Sequence, residues 1–194
     1  MKKVTFLIIA AYLASASSCQ QGSSSPATEE KLVTEDSLIK KGEYLVGVMG
    51  CDDCHSPKVM GPQGPMPDPA LRFSGHPSSF PLVGSDTSVF SKGWMLFALN
   101  GTAAFGPWGT SYAANLTSDP TGIGNWTEEQ FNKAMREGKY KGMDNTRPLL
   151  PPMPWPNFRN LSKEDMKAIF LFLKSTPPVK NVVPAPVPPG GQAS

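Results

Sequence analysis

The chain has 194 residues, of which 18 are basic and 16 acidic, so its formal net charge is +2. Surfaces that bind nucleic acid need a concentrated basic face, and this near-neutral composition argues against nucleic acid as a partner. The length suits one domain with a single hydrophobic core, flanked by segments that do not fold alone.

The first 18 residues have the three parts of a secretion signal: a basic start at Lys2 and Lys3, a mostly apolar run over 4–13, and then small residues. The apolar run is shorter than the roughly 20 residues that a membrane-spanning helix needs. The small residues end at Cys19 in a pattern that resembles bacterial lipoprotein signals. We therefore predict a lipoprotein-type signal peptide at 1–18 and a lipid on Cys19, which would anchor a periplasmic protein to the inner or outer membrane. The alternative is an ordinary signal peptide followed by an unmodified cysteine.

Composition divides the rest of the chain into three parts. Residues 19–34 are rich in Ser and Glu and poor in large apolar side chains, which predicts a flexible tether. Residues 35–176 form the predicted domain. Residues 177–194 are rich in proline, which predicts an extended, solvated tail.

A helix is predicted over about 36–49, with the apolar side chains of Leu38, Leu45 and Val48 at near-helical spacing. Gly42 and Gly47 weaken it by about 1 kcal/mol each relative to alanine, so packing must hold it in place. This helix leads directly into the sequence Cys51-Asp52-Asp53-Cys54-His55.

The C-x-x-C-H pattern is the attachment sequence of c-type haem. The thiols of Cys51 and Cys54 add to the haem vinyl groups as thioethers, and the imidazole of His55 becomes the proximal ligand of the iron. The chain contains one such motif, which predicts one covalent haem c.

Three other interpretations of the motif were weighed. A dithiol redox pair needs a helix after the motif, but the run over 57–69 is dense in proline and glycine. A structural zinc site needs four ligands, and the chain offers only Cys19 and His76 besides the motif. A disulfide between Cys51 and Cys54 would close too short a loop to stabilise the chain much.

Residues 56–114 form an expanded segment after the motif, and their contacts cannot be read from the sequence. His76 within this segment is the only other histidine of the chain. His76 can be interpreted in three ways: as a second axial ligand of the iron, as a proton-coupled group near a haem propionate, or as an exposed loop histidine. The third interpretation is the commonest for a lone histidine.

Two further helices are predicted from their capping residues. One begins after Thr127, whose hydroxyl can cap the first turn, and stops at Gly138. The other begins after Ser162, carries one apolar stripe, and ends before Pro177.

Met153 lies in the loop between these two helices and is the leading candidate for the sixth iron ligand. Prolines on both sides fix its backbone, and the loop can reach the distal face of a haem. Two alternatives remain at this point: Met153 fills a gap in the core, or Met60, Met66 or Met143 is the ligand. Arg147 in the same loop is predicted to pair with a haem propionate, with an exposed surface arginine as the alternative.

Most of the domain resembles bacterial class I mono-haem cytochromes c, particularly those that accompany membrane-bound alcohol and sugar-acid dehydrogenases. The residues that carry the resemblance are Gly42-Glu43-Tyr44-Leu45, 114–127, 149–155, and 161–165 together with 177–179. The resemblance implies an all-α fold, the small cytochrome c fold, with N- and C-terminal helices around one haem and long Pro- and Gly-rich loops. It also implies His55 and Met153 as the axial ligands.

Two functional classes follow from these residues. In the first, a six-coordinate haem makes the protein a periplasmic one-electron carrier, without enzymatic activity, between a dehydrogenase or quinol-oxidising complex and a terminal oxidase. In the second, an open distal site makes it a haem enzyme or a protein that binds peroxide or a gas. The prolines around Met153 and the resemblance favour electron transfer.

Overall fold

The computed structural model describes residues 33–80 and 87–190. The α-helices in this part of the chain are Glu35–Val48 (α1), Cys51–His55 (α2), Glu128–Glu137 (α3), Trp155–Phe158 (α4) and Lys163–Ser175 (α5). Short 3-10 helices occur at Thr87–Lys92 and Tyr140–Gly142. None of the helices described is long and apolar enough to cross a membrane.

The prediction of an all-α fold is wrong, because the structure also contains two antiparallel sheets. Their strands are Lys58–Gly61 (β1), Gly64–Pro67 (β2), Leu96–Phe97 (β3), Ala103–Gly106 (β4) and Gly109–Tyr112 (β5). β1 and β2 form a hairpin, and β3, β4 and β5 form a three-stranded sheet in that order. The fold is therefore a small mixed one, and both sheets lie in the expanded segment after the haem motif.

Both hairpin turns have the sequence Gly-Pro-x-Gly. Gly61 pairs with Gly64 and Gly106 pairs with Gly109, so that two residues form each turn. The second glycine has a positive φ in both turns, 116° at Gly64 and 91° at Gly109, which a residue without a side chain adopts readily. Glycine and proline therefore shape these turns, whereas they were interpreted from the sequence only as features of long loops.

The three predicted helices are confirmed. α3 has the predicted capping box between Thr127 and Gln130 and stops at Gly138, whose φ is 67°. α5 starts after Ser162, whose side chain accepts a hydrogen bond from the backbone N–H of Asp165. In α1 the buried face contains Val46, whereas Val48, which was expected to share the apolar face, is exposed.

The hydrophobic core lies where α1, α3 and α5 meet. The buried side chains of the cluster are those of Val46, Phe73, Ile123, Phe131, Met135, Met166, Ile169, Phe170, Phe172 and Leu173. α1 approaches α5 closely at Gly42, where an added Cβ would meet the Ala168 carbonyl and the side chain of Phe172. This contact fixes the helix that leads into the haem motif.

The segment after α5 is attached to the domain as far as residue 187, in contrast to the solvated tail expected from its prolines. The Asn181 side chain donates hydrogen bonds to the carbonyls of Ser74 (2.7 Å) and His76 (2.9 Å). Further along, the backbone of Val187 pairs with that of Thr110 in β5, with N···O distances of 2.8 and 3.0 Å. Side-chain and backbone hydrogen bonds thus tie an extended segment to the fold without a helix or a long strand.

Candidate haem-binding site

The five residues of the C-x-x-C-H motif form α2, a little over one helical turn. Gly50 joins α1 to α2 with a φ of 68°, in the left-handed region. An added Cβ at Gly50 would lie only 2.9 Å from a carboxylate oxygen of Asp53. Because Cys51 and Cys54 are three residues apart in a helix, their side chains lie on the same face.

The two thiols are free and their environment keeps them protonated. Burial raises the pKa of Cys51 to about 12, and the negative charge of Asp52 adds to this rise. Burial likewise raises the pKa of Cys54. Cys51 lies against the hydrophobic core cluster. Both sulfurs are thus available as neutral thiols, and that of Cys51 lies at the edge of the core.

These properties disagree with the other interpretations of the motif. Dithiol exchange depends on a thiol with a lowered pKa, whereas both pKa values are raised here. Cys51 and Cys54 form no disulfide. Within residues 33–80 and 87–190, no group of three or more His, Cys, Asp or Glu side chains is arranged to hold a metal ion, as a zinc site would require.

The His55 imidazole is oriented by a backbone carbonyl. Nδ1 lies 2.8 Å from the carbonyl oxygen of Ala114, so this nitrogen carries the hydrogen and donates it. The other ring nitrogen, Nε2, is then the one with a free lone pair, as an iron ligand requires. Burial lowers the pKa of His55, opposed by the hydrogen bond to Ala114. Burial is the larger effect and favours the neutral imidazole, and the hydrogen bond to Ala114 defines its tautomer.

Backbone hydrogen bonds hold the Ala114 carbonyl in place. The Gly75 N–H donates to the His55 carbonyl (2.8 Å), and the His76 N–H donates to the Ala113 carbonyl (2.9 Å). The Leu116 N–H donates to the Phe73 carbonyl (2.8 Å). The segment around Gly75 therefore lies between α2 and the chain that follows β5, and it connects the two.

Asp52, between the two cysteines, is the centre of a polar network. Its carboxylate accepts hydrogen bonds from Arg72, with distances of 2.8 Å from Nη2 and 3.1 and 3.2 Å from Nε, and from the Ser56 hydroxyl at 2.7 Å. Burial opposes the charge of Asp52, but Arg72 and Ser56 outweigh it and lower the pKa of the carboxyl group. Ser56 in turn accepts a hydrogen bond from the Phe73 N–H (2.9 Å). The network joins α2 to the segment that supports Ala114.

Met153 lies in the loop between α3 and α4, partly buried against the same hydrophobic cluster as Cys51. The loop is anchored on both sides, since the Leu149 N–H donates to the Gly138 carbonyl (2.7 Å) and the Ser111 hydroxyl donates to the Pro151 carbonyl (2.6 Å). The structure thus brings Met153 and Cys51 to one core.

The donor set fits a c-type haem. Two neutral thiols share a face of α2, and the imidazole next to them has its Nδ1 occupied and its Nε2 free. A thioether in an anchored loop packs on the same hydrophobic cluster. Each of these groups has the chemical state that thioether formation or axial ligation needs.

Arg147 is engaged within its own loop. Its guanidinium lies over the Tyr140 ring, 4.0 Å from the centroid, and Nη1 donates to the Pro148 carbonyl at 3.0 Å. Pairing of Arg147 with a propionate stays a prediction. The signal peptide at 1–18 and the lipid site Cys19 lie outside the described residues.

His76 is buried, in contrast to the exposed loop position that is commonest for a lone histidine. Its side chain is 1% exposed, and Nδ1 lies 2.8 Å from the Thr102 hydroxyl oxygen. The ring packs on Tyr112 with a centroid distance of 4.8 Å and edge-on against Phe80 at 5.9 Å. These contacts indicate that His76 contributes to the packing of the expanded segment.

The sequence analysis missed the residues that support the motif. Arg72 and Asp52 are 20 positions apart, and their pairing depends on the path of the intervening chain. Ala114 acts through its carbonyl, which every residue type offers, so no sequence signal marks it. Lys58, whose Nζ donates hydrogen bonds to the carbonyls of Asp52 and Asp53, is different. A basic residue just after a short helix is a recognisable cap for the carbonyl end of that helix.

Comparison with known proteins gives relatives that are cytochrome subunits of dehydrogenases. The chain is 34% identical over 138 residues to the gluconate 2-dehydrogenase cytochrome c subunit of Pantoea cypripedii, covering 71% of this chain and 23% of the relative. It is 30% identical over 139 residues to the cytochrome c subunit of the quinone-dependent alcohol dehydrogenase of Gluconobacter oxydans, covering 71% and 21%. It is 38% identical over 79 residues to the fructose dehydrogenase cytochrome subunit of Gluconobacter japonicus, covering 40% and 15%.

These comparisons confirm the resemblance to cytochromes c that accompany dehydrogenases. The chain spans less than a quarter of the length of each of these three relatives. No family model matches the chain.

Proposed function

We propose that the protein is a periplasmic electron carrier, not an enzyme, with one haem c bound to Cys51 and Cys54 and with His55 and Met153 as axial ligands. When bound, the haem supplies one-electron exchange between ferric and ferrous iron. The main observation behind the proposal is the arrangement of side chains on α2. Two protonated thiols lie beside the His55 imidazole, whose Nδ1 donates a hydrogen bond to the Ala114 carbonyl.

The chain's own residues position the ligands and exclude water. Asp52, Arg72 and Ser56 fix α2, and the Ala114 carbonyl fixes the ring orientation of His55. The core cluster covers Cys51 and Met153 with apolar side chains, which limits solvent access and so affects the reduction potential.

Met153 is supported over Met60, Met66 and Met143 by its burial. The side chains of Met60, Met66 and Met143 are 80%, 42% and 45% exposed, whereas Met153 is partly buried on the cluster that also holds Cys51. A methionine ligand stabilises ferrous iron and raises the potential. His76, the other histidine, is buried in the expanded segment, where Thr102 and Tyr112 contact its ring.

The proposed electron donors are a dehydrogenase or a quinol-oxidising complex, and the proposed acceptor is a terminal oxidase. The relatives are named as cytochrome subunits of gluconate, alcohol and fructose dehydrogenases, which supports a dehydrogenase partner. A lipid on Cys19 would keep the carrier at the membrane. Labelling with radioactive palmitate should mark the wild-type protein and not a Cys19→Ser variant, and equal labelling would contradict the anchor.

The test of the ligands is an optical spectrum of the haem-loaded protein, in wild type, Met153→Ala and the control Met143→Ala. We expect a weak long-wavelength sulfur-to-iron band in oxidised wild type and Met143→Ala, with no spectral change when carbon monoxide is added after reduction. In Met153→Ala the band should disappear, carbon monoxide should bind and the potential should fall, while the haem stays covalently attached.

Unchanged ligation in Met153→Ala would contradict the assignment. Ready binding of carbon monoxide by the wild-type protein would instead favour the haem enzyme or gas-binding alternative.

A further inference from the structure

Lys58 caps the carbonyl end of the helix that carries the haem motif. Its Nζ donates hydrogen bonds to the carbonyls of Asp52 (2.8 Å) and Asp53 (3.1 Å), and to that of Ser56. The last carbonyls of a helix lack partners within the helix and carry partial negative charge, so they attract a cation. Lys58 is three residues beyond His55, which places its charge at the end of the turn formed by Cys54 and His55.

The three hydrogen bonds identify the group as an ammonium ion. An ammonium has three N–H donors and no acceptor, and each of the three acceptors here is a carbonyl oxygen. The side chain is partly buried, and Gly101 lies beside it, since a Cβ built at Gly101 would be 3.9 Å from Nζ. Lys58 is therefore held in one position rather than moving freely in solvent.

Lys58 forms no ion pair in the described part of the chain, where no acidic side chain lies within ion-pair distance of Nζ. Asp52 is close in sequence, but its carboxylate pairs with Arg72 at 2.8 Å. Asp53 is exposed to solvent, which screens its charge. Burial lowers the pKa of Lys58, while the charges of Asp53 and Asp52 oppose this change. Lys58 is thus a positive charge held on backbone carbonyls, without an ion-pair partner, beside the residues that would hold the haem.

We propose that Lys58 acts as an electrostatic positioning residue that raises the reduction potential of the haem through its fixed positive charge. The inference rests on the proposed function. Reduction adds one electron at the iron, so a nearby cation stabilises the reduced state more than the oxidised state. Because Lys58 is partly buried, salt screens this interaction less than it would screen a fully exposed charge.

The experiment is a potentiometric redox titration of the haem-loaded protein at low and high ionic strength. Lys58→Met and Lys58→Gln remove the charge, and glutamine keeps an N–H donor for the carbonyls. Lys58→Arg keeps the charge. Lys167→Met is the matched control, because it removes the same charge from an exposed position on α5.

We expect a negative shift of the midpoint potential in both neutral variants that persists at high ionic strength, and little shift in Lys58→Arg or Lys167→Met. Equal potentials in wild type, Lys58→Met and Lys58→Gln would overturn the proposal. Loss of haem from both neutral variants would assign Lys58 a structural role in the motif and would also overturn it. If the wild-type chain takes up no haem, the proposed function itself is refuted. This outcome differs from equal potentials, which would refute only the role of Lys58.

Discussion

Two glycines in α1 provide a matched test of how the N-terminal helix is held. Gly42 faces α5, where an added Cβ would clash with the Ala168 carbonyl, whereas nothing lies within 4 Å of a Cβ added at Gly47. Alanine is favoured over glycine inside a helix by roughly 0.5–1 kcal/mol. Gly47→Ala should therefore stabilise the protein by about that amount.

Gly42→Ala gains the same helix propensity but must push α1 away from α5. Adding a methyl group to a closely packed contact typically costs about 1–3 kcal/mol, so the net effect should be a loss of about 0.5–2 kcal/mol. The two variants should differ by about 2 kcal/mol in the free energy of unfolding.

The assay is guanidinium-induced unfolding of the haem-loaded variants, followed by circular dichroism. If Gly42→Ala and Gly47→Ala stabilise the protein equally, the close contact between α1 and α5 does not exist as described.

Two further predictions concern charged and titratable groups. Arg72→Gln should lower the free energy of unfolding by about 1–2 kcal/mol, because it leaves the partly buried Asp52 carboxylate with fewer charge-assisted hydrogen bonds. Lys133→Gln should lower it much less, because the partner Asp144 is 70% exposed and solvent screens the pair. Equal losses in the same denaturation assay would refute this ranking. Burial lowers the pKa of His76 in the folded protein below its ordinary value of 6.5, so the fold favours the neutral ring and stability should fall as the pH drops below about 6.5. The fall in wild-type stability between about pH 7 and 5 should be smaller in His76→Gln, and identical pH profiles would contradict it.

The helices could be predicted from the sequence because their signals are local. Thr127 and Gln130 cap α3 from within four residues, and Ser162 does the same for α5. The two thiols and His55 follow each other in one helical turn, so their grouping was also visible in the sequence. Capping residues and spacing along one helix therefore carried these predictions.

The sheets and the supporting residues could not be predicted in the same way. The strands are only two to four residues long, so they show too few alternations to be distinguished from a Pro- and Gly-rich loop. The Ala114 carbonyl meets His55 because the chain returns to α2 after 59 residues. His76 is buried by Tyr112 and Phe80, and their approach depends on the folded path of the expanded segment.

The hydrogen bonds between Val187 and Thr110 determine where a pulling force would act on this molecule. β5 runs from Gly109 to Tyr112, and Ala114, which orients His55, follows two residues after its end. Tension applied at the C-terminus would reach β5 at this bridge, close to the proposed iron ligand His55, and would not first unwind α5. A surface or fusion partner joined at the C-terminus therefore needs a slack linker after residue 190, so that the load does not disturb the orientation of His55.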